Sequence, residues 1–229
     1  MGSLQDLREE VWKANMELFR ENLVVQTFGN VSGIDRDKGI LAIKPSGIPY
    51  KDLTADKIVL VDLDLNVVDS AYKPSSDTRT HVVLYKEFPE IAGVAHTHST
   101  YATSWAQSGS AVPCFGTTHA DYSRGEIPCT QWLVEEQING DYETETGLQI
   151  VKTLKQLPDS ISMMLVAGHG PFTWGASAQK AVEHTILLEE ICRMATLTKM
   201  INPSVESLSP VLIDKHFLRK HGKNSYYGQ

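Results

Sequence analysis

The stretch Ile91-Ala92-Gly93-Val94-Ala95-His96-Thr97-His98 runs from apolar residues into two histidines, and its pattern decides the fold. A short apolar run of this length suits a buried strand, and an extended chain turns successive side chains to opposite faces. His96 and His98 then share one face while Thr97 points away. A second apolar run, Met163 to Ala167, leads into Gly168-His169-Gly170. Three imidazoles with an open fourth position are the ligand set of catalytic zinc. Taken alone, a His-x-His pair on a strand is equally a pair of solvated structural residues.

Outward from this stretch, the chain reads as strands between helices. Leu4, Leu7, Val11, Ala14 and Leu18 recur at helical spacing, giving an amphipathic helix that ends near Asn22. Apolar stretches at Ile40 to Ile43 and Ile58 to Val61, broken by Pro45, Gly47 and Pro49, read as strands joined by turns. Ser75, Ser76 and Asp77 offer N-caps to a helix from about Thr78 to Phe88. Helical patterns follow at Thr100 to Gln107, Thr146 to Leu157 and Ala178 to Met200, the longest. The segment from Gly109 to Pro128, rich in Gly, Thr and Pro, reads as a long functional loop. Ser209-Pro210 supplies a cap with proline in the first turn and Gly222 a stop, so Pro210 to His221 is a helix. The order lacks the strict alternation of a doubly wound sheet, so the expected class is α/β with a central, mainly antiparallel sheet flanked by helices. One domain covers 1–229, with Gly2-Ser3 set aside as resembling a cloning scar.

Composition narrows the function. A chain of 229 residues with 41% hydrophobic content can build one sizeable core. Its net charge of -7 disfavours a nucleic-acid partner, which needs clustered Lys and Arg. The one basic cluster, Lys215, Arg219, Lys220 and Lys223, reads as a helix end complementing its own dipole. No apolar run is long enough for a membrane span, and the first helix is unlike a signal peptide. Cys114, Cys129 and Cys192 are odd in number and form no Cys-x-x-Cys pair, so reduced thiols and a cytoplasmic location are expected. Neither a dinucleotide fingerprint nor a P-loop occurs.

Three segments are suited to an anion: Gly29-Asn30-Val31-Ser32, Lys44-Pro45-Ser46-Gly47 and Pro74-Ser75-Ser76-Asp77. Each places hydroxyl, amide or ammonium donors beside a turn-forming residue, and the helix start after Ser76 favours negative charge. Each is also an ordinary turn or cap when taken singly. Asp77 fits either a weak fourth ligand beside a metal or an acid stabilised by its helix dipole. Asp121 fits an acid–base group or an Asx turn. Tyr226 and Tyr227 are two aromatics in a tail otherwise poor in apolar residues, suited to docking or to catalysis by a hydroxyl.

Jointly these motifs resemble the class II sugar-phosphate aldolase and epimerase family. The likeness runs through nearly the whole chain and includes Lys73-Pro74-Ser75-Ser76-Asp77-Thr78, His96-Thr97-His98-Ser99, Gly116-Thr117-Thr118-His119-Ala120-Asp121-Tyr122, Gly168-His169-Gly170-Pro171-Phe172 and the terminal Tyr226-Tyr227-Gly228-Gln229. The resemblance implies a three-layer α/β/α sandwich and a fourfold symmetric homotetramer with active sites between neighbours. It implies Zn2+, with Mn2+ or Co2+ as alternatives, held by His96, His98 and His169 with Asp77 at or beside the ion. It assigns a sugar phosphate to Asn30, Lys44, Ser46, Gly47, Ser75 and Ser76, with Thr117 and His216 in support. It makes Asp121 and Tyr227 acid and base on opposite substrate faces, the tyrosine arriving from an adjacent subunit. The implied reaction converts L-ribulose 5-phosphate to D-xylulose 5-phosphate by retro-aldol cleavage and re-addition through an enediolate and glycolaldehyde phosphate.

Other expectations compete. Aldolases of the same family acting on L-fuculose or L-rhamnulose 1-phosphate typically carry glutamate at the Asp77 position and lack the Asp121 and Tyr227 pair. A zinc hydrase would use the histidines but not the anion donors around Lys44 and Ser75. A binding module like the adducin head would have no use for intact metal ligands.

Overall fold

The computed structural model of the protein describes residues 3–222, 225 and 226. Helix α1 (Leu4–Arg20) starts at Ser3, whose hydroxyl accepts from the Asp6 amide while the Asp6 carboxylate receives the Ser3 amide, and it buries Val11, Ala14 and Leu18. Strands β1 (Asn30–Asp35), β2 (Ile40–Ile43), β3 (Val59–Asp62) and β4 (Val67–Asp69) follow, then α2 (Thr78–Glu87), β5 (Gly93–His96) and α3 (Thr100–Ser108). The second half holds α4 (Thr117–Ala120), α5 (Glu135–Asn139), α6 (Tyr142–Leu154), β6 (Met163–Leu165), β7 (Pro171–Gly175), α7 (Ala178–Ile201) and α8 (Pro210–His221).

Among the described residues the strands form one sheet in the order β4-β3-β2-β1-β5-β7-β6, with every neighbouring pair antiparallel. Alternation along the strands builds two cores. Leu41, Ile43, Val59, Val61 and Val94 pack towards α2 and α6, alongside Val82, Leu84 and Ile150. Val31, Ala42, Leu60 and Ala95 turn to the other face, against α1 and the start of α7. The result is the expected three-layer sandwich.

Two contacts fix the layers around the middle strands. Asn15 of α1 is fully buried, donating to the Val31 carbonyl at 3.0 Å and accepting from the Val31 amide at 2.9 Å. At Gly93 any added Cβ would sit 2.1 Å from the Ser177 carbonyl oxygen, so glycine is what lets the start of α7 lie against β5. The cysteines are free thiols, and among the described residues no helix is long and apolar enough to cross a membrane.

Three segments depart from the sequence pattern. Residues 109–128 are not one open loop: they contain α4 and a bridge between Val112 and Ile127. Helix α6 starts at Tyr142 rather than near Thr146, because Asp141 caps it through the Thr144 amide. Gly29 to Ser32, read only as an anion-binding segment, leads into and forms the start of the central strand β1.

Candidate active site

The histidines converge at the end of β5. Hydrogen-bonded pairing stops at His96, and His98 lies two residues further, its Nε2 3.1 Å from Nε2 of His96. His169 enters from the turn between β6 and β7, where Gly168 adopts φ +72°, a conformation that suits glycine. The candidate ligand atoms of all three lie within 4.8 Å of one another. Two imidazole nitrogens bound tetrahedrally to one zinc sit roughly 3.3 Å apart, so the His96–His98 spacing fits an ion. Nδ1 of His96 lies 2.9 Å from the Pro171 carbonyl oxygen; a carbonyl only accepts, so the proton is on Nδ1 and Nε2 is free to ligate. Phe172 stacks on His96 and Phe28 on His98, walling two sides of the centre.

Burial pushes His169 down to about 3, helped by His96 and opposed by Asp77, so its ring is neutral at physiological pH, the form a ligand needs. Asp77 holds the N-cap position of α2 and accepts the His81 amide through its carbonyl, but its side chain makes no capping bond; Oδ2 instead receives the Asn30 side-chain amide at 2.6 Å. Burial would raise its carboxyl, but His96, His81 and Asn30 outweigh that and hold it below the usual range.

Beside the triad lie the candidate anion donors. Ser46 donates its amide to the Lys73 carbonyl and Ser75 to the Lys44 carbonyl, lacing the 44–47 and 73–76 segments together. Asn30 reaches across to Ser75 Oγ at 3.1 Å, which brings in the third segment. Lys44 is 2% exposed; its Nζ donates to the Thr27 carbonyl at 3.2 Å and lies 4.9 Å from the Tyr50 ring centre. Burial lowers its ammonium to about 8 despite the attraction of Asp77. Asn30, Lys44, Ser46, Gly47, Ser75, Ser76, Asp77, His96, His98 and His169 thus line one cleft of about 370 Å³.

Thr117, Asp121 and His216 are not in that cleft's lining. They gather where α4 meets α8: Asp121 accepts two hydrogen bonds from Arg219, at 3.0 and 2.9 Å, and lies 3.1 Å from His216 Nδ1. Burial favours the neutral acid, but Arg219 and His216 outweigh it and keep Asp121 below the ordinary carboxyl range. The helix-end basic cluster therefore does more than complement a dipole, since Arg219 is an ion-pair partner and Lys220 sits 3.6 Å from the Tyr122 ring centre. Tyr227 lies outside the described residues.

The sequence pattern did not point to Tyr142, Glu143 or His81. The first two line the cleft from α6. His81 is fully buried one turn after Asp77; its Nδ1 lies 2.7 Å from Ser32 Oγ, which in turn lies 2.8 Å from the Tyr85 hydroxyl, while among the described residues Nε2 has no hydrogen-bond partner.

Residues 9–196 match the family described as Class II Aldolase and Adducin N-terminal domain. The chain belongs to that family. Two relatives, L-ribulose-5-phosphate 4-epimerase UlaF of Salmonella paratyphi B and of Salmonella typhi, are each 50% identical over 227 residues, 99% of this chain and 100% of theirs. Among solved structures, an L-fuculose 1-phosphate aldolase superposes with a TM-score of 0.80 at 23% identity, covering 96% of this chain and 97% of that one. YgbL from Klebsiella pneumoniae gives 0.74 at 24% identity, over 94% and 99%. At those identities the likeness bears on the fold alone, and it agrees with the sandwich described above. Class II aldolases are metal-dependent, and the histidine triad is a set that could hold the ion.

Proposed function

We propose that the chain is an isomerase, a metal-dependent epimerase that interconverts L-ribulose 5-phosphate and D-xylulose 5-phosphate. The observation that carries this is the joining of the His96, His98 and His169 triad to the anion donors of three segments in one cleft. The end-to-end 50% identity to relatives named for that reaction supports it. Zn2+ suits three imidazoles with an open position, and Mn2+ and Co2+ accept the same donors. When bound, the ion supplies Lewis-acid stabilisation of the charge that develops on substrate oxygens as the bond between carbons three and four breaks.

The chain's own residues do the rest. Lys44, Asn30, Ser46, Ser75, Ser76 and the Gly47 backbone hold the phosphate, so the aldehyde fragment stays tethered while it turns to present its other face. Asp77, kept ionised, stands between the two ends and orients groups at the metal. Proton transfers on the two faces of the substrate fall to Asp121 and Tyr227. Because Asp121, Thr117 and His216 stand apart from the cleft of their own chain, a symmetric homotetramer with sites between neighbours would deliver them to it. Carbon–carbon cleavage and re-addition need no nicotinamide.

The test is conversion of L-ribulose 5-phosphate by purified protein, metal-replete and chelated, with free glycolaldehyde phosphate followed alongside. Metal-dependent formation of D-xylulose 5-phosphate with little free aldehyde is expected. No conversion by folded, metal-loaded protein refutes it, and cleavage of L-fuculose 1-phosphate would redirect the assignment to an aldolase.

A further inference from the structure

Tyr142 stands in the first turn of α6 with its phenol oxygen 3.2 Å from Nδ1 of His169. His96 has its tautomer set by a backbone carbonyl, which can only accept. His169 has no such partner: among the described residues the bond to Tyr142 is the one hydrogen bond on its ring. With Nδ1 facing Tyr142, Nε2 is the nitrogen left for the triad centre. A nitrogen that ligates carries no proton, so Nδ1 carries it and the phenol oxygen accepts.

Rigidity makes this contact directional. His169 sits on a turn between two strands, flanked by Gly168 and Gly170, whereas Tyr142 is fixed by its helix. The Asp141 side chain caps that helix, and Thr80 of α2 donates to the Glu143 carbonyl at 2.6 Å, tying α6 to the helix that follows Asp77. We infer that Tyr142 is a positioning residue for the metal centre: its hydroxyl receives the His169 Nδ1 proton, sets the rotation of the ring and turns an unprotonated Nε2 towards the ion. This rests on the triad being the metal site of the proposed function.

The experiment measures Zn2+ affinity by competition with a chromophoric chelator for the parent protein, Tyr142→Phe and Leu148→Ala. Leu148 is on α6 but exposed and away from the cleft. Tyr142→Phe should bind about 10–100-fold more weakly, the range for losing such a partner, and Leu148→Ala should match the parent. The visible absorption of the Co2+ forms should differ between parent and Tyr142→Phe. A ring-fluorinated tyrosine at position 142 is a poorer acceptor of nearly the same shape, and should shift the affinity in the same direction even if the phenylalanine variant folds badly. Affinity equal to the parent in both, or an equal loss in Leu148→Ala, overturns the inference while leaving the metal site standing. Failure of the parent to bind Zn2+ overturns both.

Discussion

Replacing Lys44 by methionine should make the metal-free protein more stable and its hold on phosphate weaker. Lys44 is 2% exposed, and its ammonium has two backbone carbonyls, of Thr27 and Pro45, and the Tyr50 ring in place of bulk water. Burial lowers it from 10.5 to about 8. At about 1.4 kcal/mol per pH unit, holding the charge in the fold costs about 3 kcal/mol near neutral pH. Methionine keeps most of the buried stem and gives up two long hydrogen bonds and a cation–π contact, so a net gain of about 1–2 kcal/mol remains. A hydrogen bond from a charged donor is worth about 1.5–3 kcal/mol, so KM for the sugar phosphate should rise roughly 10–100-fold. The sign with pH is fixed. From about 8 to 10.5 the unfolded chain keeps a proton that the folded one has released, so parent stability rises with pH and the gap to the variant closes. Urea unfolding of both metal-free proteins at neutral pH and across that alkaline range gives the comparison. A variant less stable than the parent at neutral pH, or a gap that stays constant, refutes the reasoning.

Other outcomes follow from the same geometry. His96→Ala should lose turnover by orders of magnitude even at saturating substrate, because it removes a proposed ligand with a fixed tautomer, whereas Ser46→Ala should mainly raise KM; equal turnover of His96→Ala and parent, each freed of contaminating metal, would count against the triad. Burial lowers His119 to about 4 from 6.5, so below about 6.5 the unfolded chain binds the proton first and stability falls with pH by about 1.4 kcal/mol per unit until the folded ring also titrates. His119→Gln should flatten that slope in urea midpoints, and an unchanged slope would exclude it. Gly93→Ala should cost several kcal/mol in thermal or urea unfolding, since its Cβ would meet the Ser177 backbone at 2.1 Å.

Much of the scaffold was legible because its signals are local. The continuous apolar runs of β2 and β3, the run into His96 and the Ser209-Pro210 start of α8 each carry their own composition or cap. The start of α6 was hidden because its cap, Asp141, precedes polar residues rather than an apolar stripe, and Tyr142 was hidden with it. Strand β1 was masked by Asn30, Ser32 and Gly33, residues poor in strand propensity that owe their place to a tertiary ladder between β2 and β5. At the cleft, the grouping of the three histidines was evident from spacing, and the hydroxyl, amide and ammonium groups beside them were picked out by their chemistry. Asp77 was legible as a residue of interest but not in its orientation, because only the fold brings the Asn30 amide to it. His81 could not be singled out, since a histidine on a helix is uninformative until Ser32 is known to lie beneath it.

Asn30 and His96 are direct partners in the antiparallel ladder, so the proposed anion donor and the proposed metal ligand are neighbours across one row of the sheet. The span between the two ends of the cleft is therefore gauged by backbone geometry rather than by side-chain length. A slip of one residue between β1 and β5 would turn Asn30 to the opposite face, so that span cannot be adjusted gradually without unmaking the core. Changes in substrate size are then the province of the segments that arrive at the cleft from outside the ladder, the turn at Ser46 and the start of α6, where insertion or substitution leaves the gauge untouched.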